Sequence, residues 1–309
     1  EENDPVFYIS DLPKHLSSEQ SQKTMADGIK GEDLNIIVGS IPLPDGNGKE
    51  GQIRKNILRI LEERYDISEK DFTSAELEIV PSGKARDVGF DRSMIASYGH
   101  DDRVCSYTAL MGILHAEKHP FTGGVLFVDK EEVGNPGGCG MDSRYMENLI
   151  SKIAALTEDT DAMTLRLALE HSKMLSADVG IAYDSSYPEA FEPANTARLG
   201  RGPALIKYAG HMGKKGCNDA SAEYLALIRK LFDDAGVYWQ TGEYGKIDFG
   251  GGGTIAPFAA AYGMEVVDCG VVLLSMHAPY ELASKADIYE TYRAYRAFLE
   301  SGLELEKYM

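Results

Sequence analysis

Hydrophobic and polar positions follow two different periods along this chain. Short apolar runs bounded by turn residues predict strands at "PVFYIS", "LNIIVGSIPL", "AELEIVPSG", "GGVLFVDKEEVG", "MLSADVGIAYD", "GPALIKYA" and "MEVVDCGVVLLSMHAPYE". Stripes at helical spacing predict helices between them. Ile53, Ile57, Ile60 and Leu61 share one face of "GQIRKNILRILEERYDI". Val104, Thr108, Met111 and Leu114 do so in "VCSYTALMGILHAEKH", and Met146, Ile150 and Ile153 in "MENLISKIAAL". "SAEYLALIRKLFDDAGV" reads as a helix closed by Gly236, "GKIDFGGGGTIAPFAAAYG" as a glycine-rich loop feeding a helix, and "ADIYETYRAYRAFLESG" as a last helix.

The order of these elements predicts two parts. Residues 1–90 mix short strands with one helix, an α+β unit. From residue 91 to 309 apolar strands alternate with helices. That pattern argues an α/β domain with a mixed, largely parallel sheet flanked by helices.

Composition narrows the function classes. The 309 residues are 43% hydrophobic and 26% charged, an ordinary globular balance. With 49 acids against 31 bases the net charge is −18, and no basic run compensates. Nucleic-acid binding by phosphate neutralisation is disfavoured, as is an anionic membrane surface. No apolar run is long enough to span a bilayer, and no signal peptide is visible. Cys105, Cys139, Cys217 and Cys269 form no C-x-x-C pair, which fits reduced thiols in a cytoplasmic protein.

The chemistry collects after the predicted strands. Asp101 and Asp102 stand side by side in "YGHDDRVCSYTALMGILH", at the entrance to a helix that either can cap. Glu131 and Glu132 end "VLFVDKEE", Asp178 lies in "LSADV", and His277 ends "VVLLSMH". In open α/β sheets, sites form beyond the carboxyl ends of strands. Carboxylates and imidazole without thiolate are the donor set of a catalytic zinc-type or manganese-type site. A carboxylate shared by two cations would explain why two acids tolerate adjacency. On an extended segment one carboxylate of the Glu131–Glu132 pair can ligate while the other serves as general base. Taken singly, each feature also has a structural reading: a helix cap, a solvated charge pair, a core or surface histidine.

"IASYGHDDRVCSYTAL", "FVDKEEVGNPGG", "LSADVGIAYD" and "LSMHAPYELASKADIY" resemble the M18 family of metallo-aminopeptidases. The front part, with "VFYISDLPKHLS" and "GEDLNIIVGSIPLP", resembles that family's inserted dimerisation domain. The resemblance implies a zinc-exopeptidase-like fold and a two-metal enzyme that removes N-terminal residues from peptides. By motif, Asp101 would bridge the metals, Glu131 would be the general base, and Glu132 and His277 would ligate one ion. Asp178 would ligate the other. Zinc is the expected ion, with cobalt or manganese as alternatives. Homo-oligomers, up to a dodecamer, are implied as well.

The first metal's histidine is the departure. In the family it lies in an H-x-D motif ahead of the dimerisation domain, and this chain is expected to begin inside that domain. His100 is a poor replacement, since its side chain should point away from that of Asp101. His15, His115, His119, His171 and His211 lack a supporting motif. Either another stretch of polypeptide supplies the histidine, or the fold serves as a non-catalytic assembly or cargo-binding subunit. The "DFGGGGT" loop lacks G-K-[ST], so nucleotide binding is not signalled. By resemblance, Gly252 and Gly253 lie near substrate, and Lys214 and Lys215 in "GHMGKKGCND" would favour an acidic N-terminal side chain. A tight turn and a solvated loop are the structural readings of these two stretches.

Overall fold

The computed structural model describes residues 4–44, 51–118, 120–157, 161–211 and 215–302; His119 and Lys214 lie outside them. The chain divides into two compact units, Glu1–Ser82 and Gly83–Met309.

In the first unit β1 (Tyr8–Ile9) pairs antiparallel with β2 (Ile36–Ile37). Helix α1 (Met25–Gly28) is a single turn, and α2 (Gln52–Tyr65) is the one long helix of its described residues. The predicted stripe is half-buried at Ile57, Ile60 and Leu61, while Ile53 is exposed. Asn56 is the buried residue of α2, and its Nδ2 donates to the Ile41 carbonyl at 3.0 Å. The segment "AELEIVPSG" forms no strand. Leu77, Ile79 and Val80 are exposed, and an apolar run becomes a strand only where a neighbour completes its ladder.

The second unit holds β3 (Arg86–Val88), β4 (Met94–Ser97), β5 (Lys173–Ser176), β6 (Gly180–Ile181), β7 (Ala204–Ile206), β8 (Gln240–Thr241), β9 (Glu265–Gly270), β10 (Val272–Leu274) and β11 (Glu281–Ser284). One sheet has the order β3-β4-β11-β10-β6 and a second the order β5-β9-β7-β8. The pairs β6–β10, β5–β9 and β7–β8 are parallel, and the others are antiparallel. The mixed α/β class is thus the one the pattern predicts. The antiparallel-paired strands β3, β4 and β11 come from stretches of three or four residues, too short for a period to mark them.

The two sheets meet at a seam. β9 runs into β10 through Val271, and β5 runs into β6 through Asp178. Ser176 pairs with Asp268 before the break, and Gly180 with Val272 after it. The Gly180 N–H donates to the Val271 carbonyl at 2.8 Å, so the break displaces only the stretch around Asp178. At the centre, Val179, Leu205, Val267, Val271 and Leu273 are almost fully buried.

Helices α3 (His100–His115), α4 (Tyr145–Thr157), α5 (Ala162–Glu170), α6 (Ala222–Asp234), α7 (Ala256–Ala260) and α8 (Lys285–Glu300) complete the unit. In α6 Tyr224, Leu227, Ile228 and Phe232 are buried at helical spacing, and the Ser221 hydroxyl caps it by accepting from the Tyr224 N–H. In α3 the buried face carries Val104, Cys105, Thr108, Ala109 and Gly112. The expected stripe therefore drifts: Met111 is half-buried and Leu114 is exposed. The cause is α8. A Cβ on Gly112 would meet the Tyr295 Cβ at 3.3 Å, so small residues define the packed face.

"GGVLFVDKEEVG", predicted as a strand, has no ladder partner among the described residues. Phe127 is exposed, and the acids at its end lie in a 3-10 turn, Glu131–Val133. The extended geometry expected for Glu131 and Glu132 is therefore replaced by a turn, held by Lys130 and Gly134 in left-handed conformations.

Candidate metal centre

Four separate segments bring oxygen and nitrogen donors together. β4 leads through Gly99 into α3, whose first residues Asp101 and Asp102 are not yet helical. His100 turns away: it is buried and its Nε2 lies 3.2 Å from the Ile95 carbonyl. The turn Glu131–Val133 supplies two glutamates. Asp178 projects from the seam between β5 and β6, its Oδ1 accepting its neighbour Val179's N–H at 2.7 Å. His277 follows β10 in a turn closed by the Ala278 N–H on the Ser275 carbonyl, with His277 at φ 64°.

His277 Nε2 lies 2.9 Å from Asp101 Oδ2 and 3.3 Å from Glu132 Oε2. One oxygen each from Asp101 and Glu132 and one nitrogen of His277 fall within 4.8 Å of one another. So do carboxylate oxygens of Asp101, Asp102 and Asp178. Asp101 belongs to both groups.

The electrostatics are those of crowded acids, most of them withdrawn from water, while the Glu132 and His277 side chains stay more than half exposed. Burial, then the charge of Glu132, pushes Asp101 up to about 7, with His277 opposing. Burial also raises Asp102 and Asp178 well above the usual carboxylate range, and neighbouring carboxylates add to it. Glu131 is raised by burial and by Glu132, against His277. On β9, Asp268 is pushed up to about 6 by burial, offset by the hydroxyls of Ser176 and Thr254. Asp102 Oδ1 has no hydrogen-bond partner among the described residues.

These residues fit divalent cations. Buried like charges otherwise stay neutral by holding protons, and a dication allows them to ionise. An orphaned carboxylate oxygen at the centre of such a group is a donor without a partner. Oxygen and imidazole donors without thiolate suit zinc with an open position, and also cobalt or manganese.

Asp101, Glu132 and His277 come together, Asp178 joins Asp101, and Glu131 stands beside Glu132. Gly252 is farther back. Its N–H donates to the Ala209 carbonyl at 2.7 Å, and it packs on the Tyr244 ring. The Tyr244 hydroxyl donates to the Val179 carbonyl at 2.6 Å, so one tyrosine separates the glycine loop from Asp178. A Cβ on Gly253 would meet nothing within 4 Å. Lys215 is exposed, its carbonyl accepting from the His211 N–H, and among the described residues it makes no ion pair with the cluster. Two acids escaped sequence reasoning. Glu281 and Asp268 are both nearly fully buried. For Asp268 a signal existed: a charge inside the apolar run "VVDCG" must have a reason.

Comparison with known proteins identifies the family. The family model described as Aminopeptidase I zinc metalloprotease (M18) matches residues 1–299. A Clostridium acetobutylicum protein named probable M18 family aminopeptidase 1 is 54% identical over 301 residues, covering 97% of this chain and 64% of its own length. The crystal structure of an M18 family aminopeptidase from Thermotoga maritima superposes with a TM-score of 0.91 at 44% identity, over 96% of this chain and 65% of that one. The S. cerevisiae mApe1 dodecamer, at 22% identity over 86% of this chain and 60% of its own, shares the fold with a TM-score of 0.64. The chain belongs to the M18 family of zinc metalloproteases. It spans just under two thirds of the length of these relatives.

Proposed function

We propose that this chain carries catalytic residues of a two-metal aminopeptidase that cleaves the N-terminal residue from peptides. The observation that carries the reading is the sharing of Asp101 between two donor groups. One ion would be held by Asp101, Glu132 and His277. The other would be held by Asp101 and Asp178, with Asp102 alongside. In the family resemblance a histidine completes this second set. Zinc is the proposed ion in both, with cobalt or manganese as substitutes.

The chemistry that bound ions supply is polarisation of the scissile carbonyl and a lowering of the pKa of water to about 7. Glu131 takes the proton from the attacking water and delivers it to the leaving amine. Its partial burial beside Glu132 raises its pKa, which suits a group that must accept and then return a proton. The surrounding carboxylates attract the free α-amine of a peptide. The glycine loop with Gly252 and Gly253, next to a cleft lined by Tyr208, Glu243 and Tyr244, is the proposed substrate wall. Lys214 and Lys215 are proposed to favour acidic substrate side chains.

The first 90 residues are proposed as part of a dimerisation domain, and the protein as a homo-oligomer; the dodecamer of the yeast relative supports this. Among the described residues no helix is long and apolar enough to cross a membrane. Cys105 and Cys269 are buried thiols, which supports the cytoplasmic setting.

The test is Glu131→Gln in the intact protein, assayed with aminoacyl-arylamides. Turnover should fall at least about 100-fold with metal content unchanged. Full activity in the variant would remove Glu131 from its role. Stoichiometric metal in an inactive wild-type protein would favour an assembly subunit of the same fold.

A further inference from the structure

Glu281 lies on β11, is 2% exposed and stands beside the cluster without belonging to either donor group. Its two oxygens serve two backbone donors. Oε2 accepts the Asp101 N–H at 3.0 Å, and Oε1 accepts the His277 N–H at 2.8 Å. The β11–β4 ladder sets Glu281 opposite Ser97, at the end of the strand that leads to Asp101.

Both recipients need holding. Asp101 is extended, at φ −85° and ψ 105°, at the mouth of a helix. His277 is a non-glycine residue at φ 64°, a conformation that surroundings must impose. Their side chains meet at 2.9 Å although they come from opposite ends of the second unit's sequence. We propose that Glu281 is a positioning residue: a carboxylate clamp that fixes the backbones of Asp101 and His277 so that their side chains converge on one divalent ion. The inference rests on the metal reading above. Partners of this kind, one step behind the ligands, set ligand orientation and hence affinity.

Glu281→Gln tests it, because the shape is kept while one acceptor becomes an amide donor facing an N–H. In the intact protein, cobalt titration followed by visible absorption should show affinity at the Asp101–Glu132–His277 set about 10–100-fold weaker, with an altered cobalt spectrum. Circular dichroism should show the fold retained. Glu281→Asp, too short to reach both donors, should weaken cobalt binding in the same sense. Wild-type affinity and spectrum in folded Glu281→Gln would overturn the clamp and leave the metal reading intact. Absence of cobalt binding by the wild-type protein would overturn the metal reading itself. Failure of both variants to fold even with saturating metal would assign Glu281 to the scaffold and overturn the proposal.

Discussion

Gly270 runs so close to Asp178 that a Cβ on it would stand 2.0 Å from the Asp178 carbonyl oxygen. The same Cβ would stand 2.8 Å from Cys105 Sγ. The candidate ligand's backbone is thus seated directly on a glycine of the central strand β9, with α3 behind it. Gly270→Ala should push the Asp178 segment outward. It should cost about 1–3 kcal/mol of stability, read from urea unfolding, and weaken zinc binding together with it. A variant as stable as wild type with unchanged zinc affinity would mean the seam yields freely.

Charge within the cluster should make the metal-free protein sensitive to pH. Asp101 is pushed up to about 7, chiefly by burial and then by Glu132. A carboxyl whose folded pKa exceeds its unfolded one contributes stability that is full below the unfolded value, about 3.9, and is lost as pH rises through the folded value. Asp102, Asp178 and Glu131 shift in the same direction. In chelator, the urea midpoint should therefore be lower at pH 8 than at pH 5.5, and saturating zinc should remove most of the difference. A midpoint that rises over this range without metal would contradict the assignment.

Asp287 anchors the approach to β7. It is fully buried at the start of α8, and its two oxygens accept the N–H groups of Gly200 and Gly202, each at 2.7 Å. Asp287→Ala removes the acceptor from both N–H groups and leaves that of Gly202 buried without a partner. A loss of about 2–4 kcal/mol is expected from charge-assisted hydrogen bonds of this kind, measured by urea unfolding. A change below about 0.5 kcal/mol would show that water replaces the carboxylate without cost.

Much of this was legible beforehand, for identifiable reasons. β7, β9 and β10 announce themselves because their burial is nearly complete, and helices α6 and α8 because their buried positions recur at helical spacing. Glu132 and His277 could be marked as candidates because they end apolar runs, Asp101 because it stands at a helix entrance, and their roles, with that of Asp178, only through the motifs that resemble the M18 family. β4 and β11, although interior to their sheet, escaped because four residues are too few to establish a period. "GGVLFVDKEEVG" misled because strand propensity says nothing about whether a ladder partner is present. Glu281 was invisible for a different reason. Its role lies in two backbone N–H groups, and backbone donors leave no mark in a sequence.

The most direct measurement is anomalous diffraction at the zinc edge on crystals of the intact, zinc-loaded protein. Zinc should lie about 2.0–2.2 Å from donor atoms of Asp101, Glu132 and His277, with a second ion about 3.5–4 Å away on the Asp178 side of Asp101. Zinc bound elsewhere, or Asp101, Glu132 and His277 surrounding no ion in the loaded crystal, would contradict the metal centre.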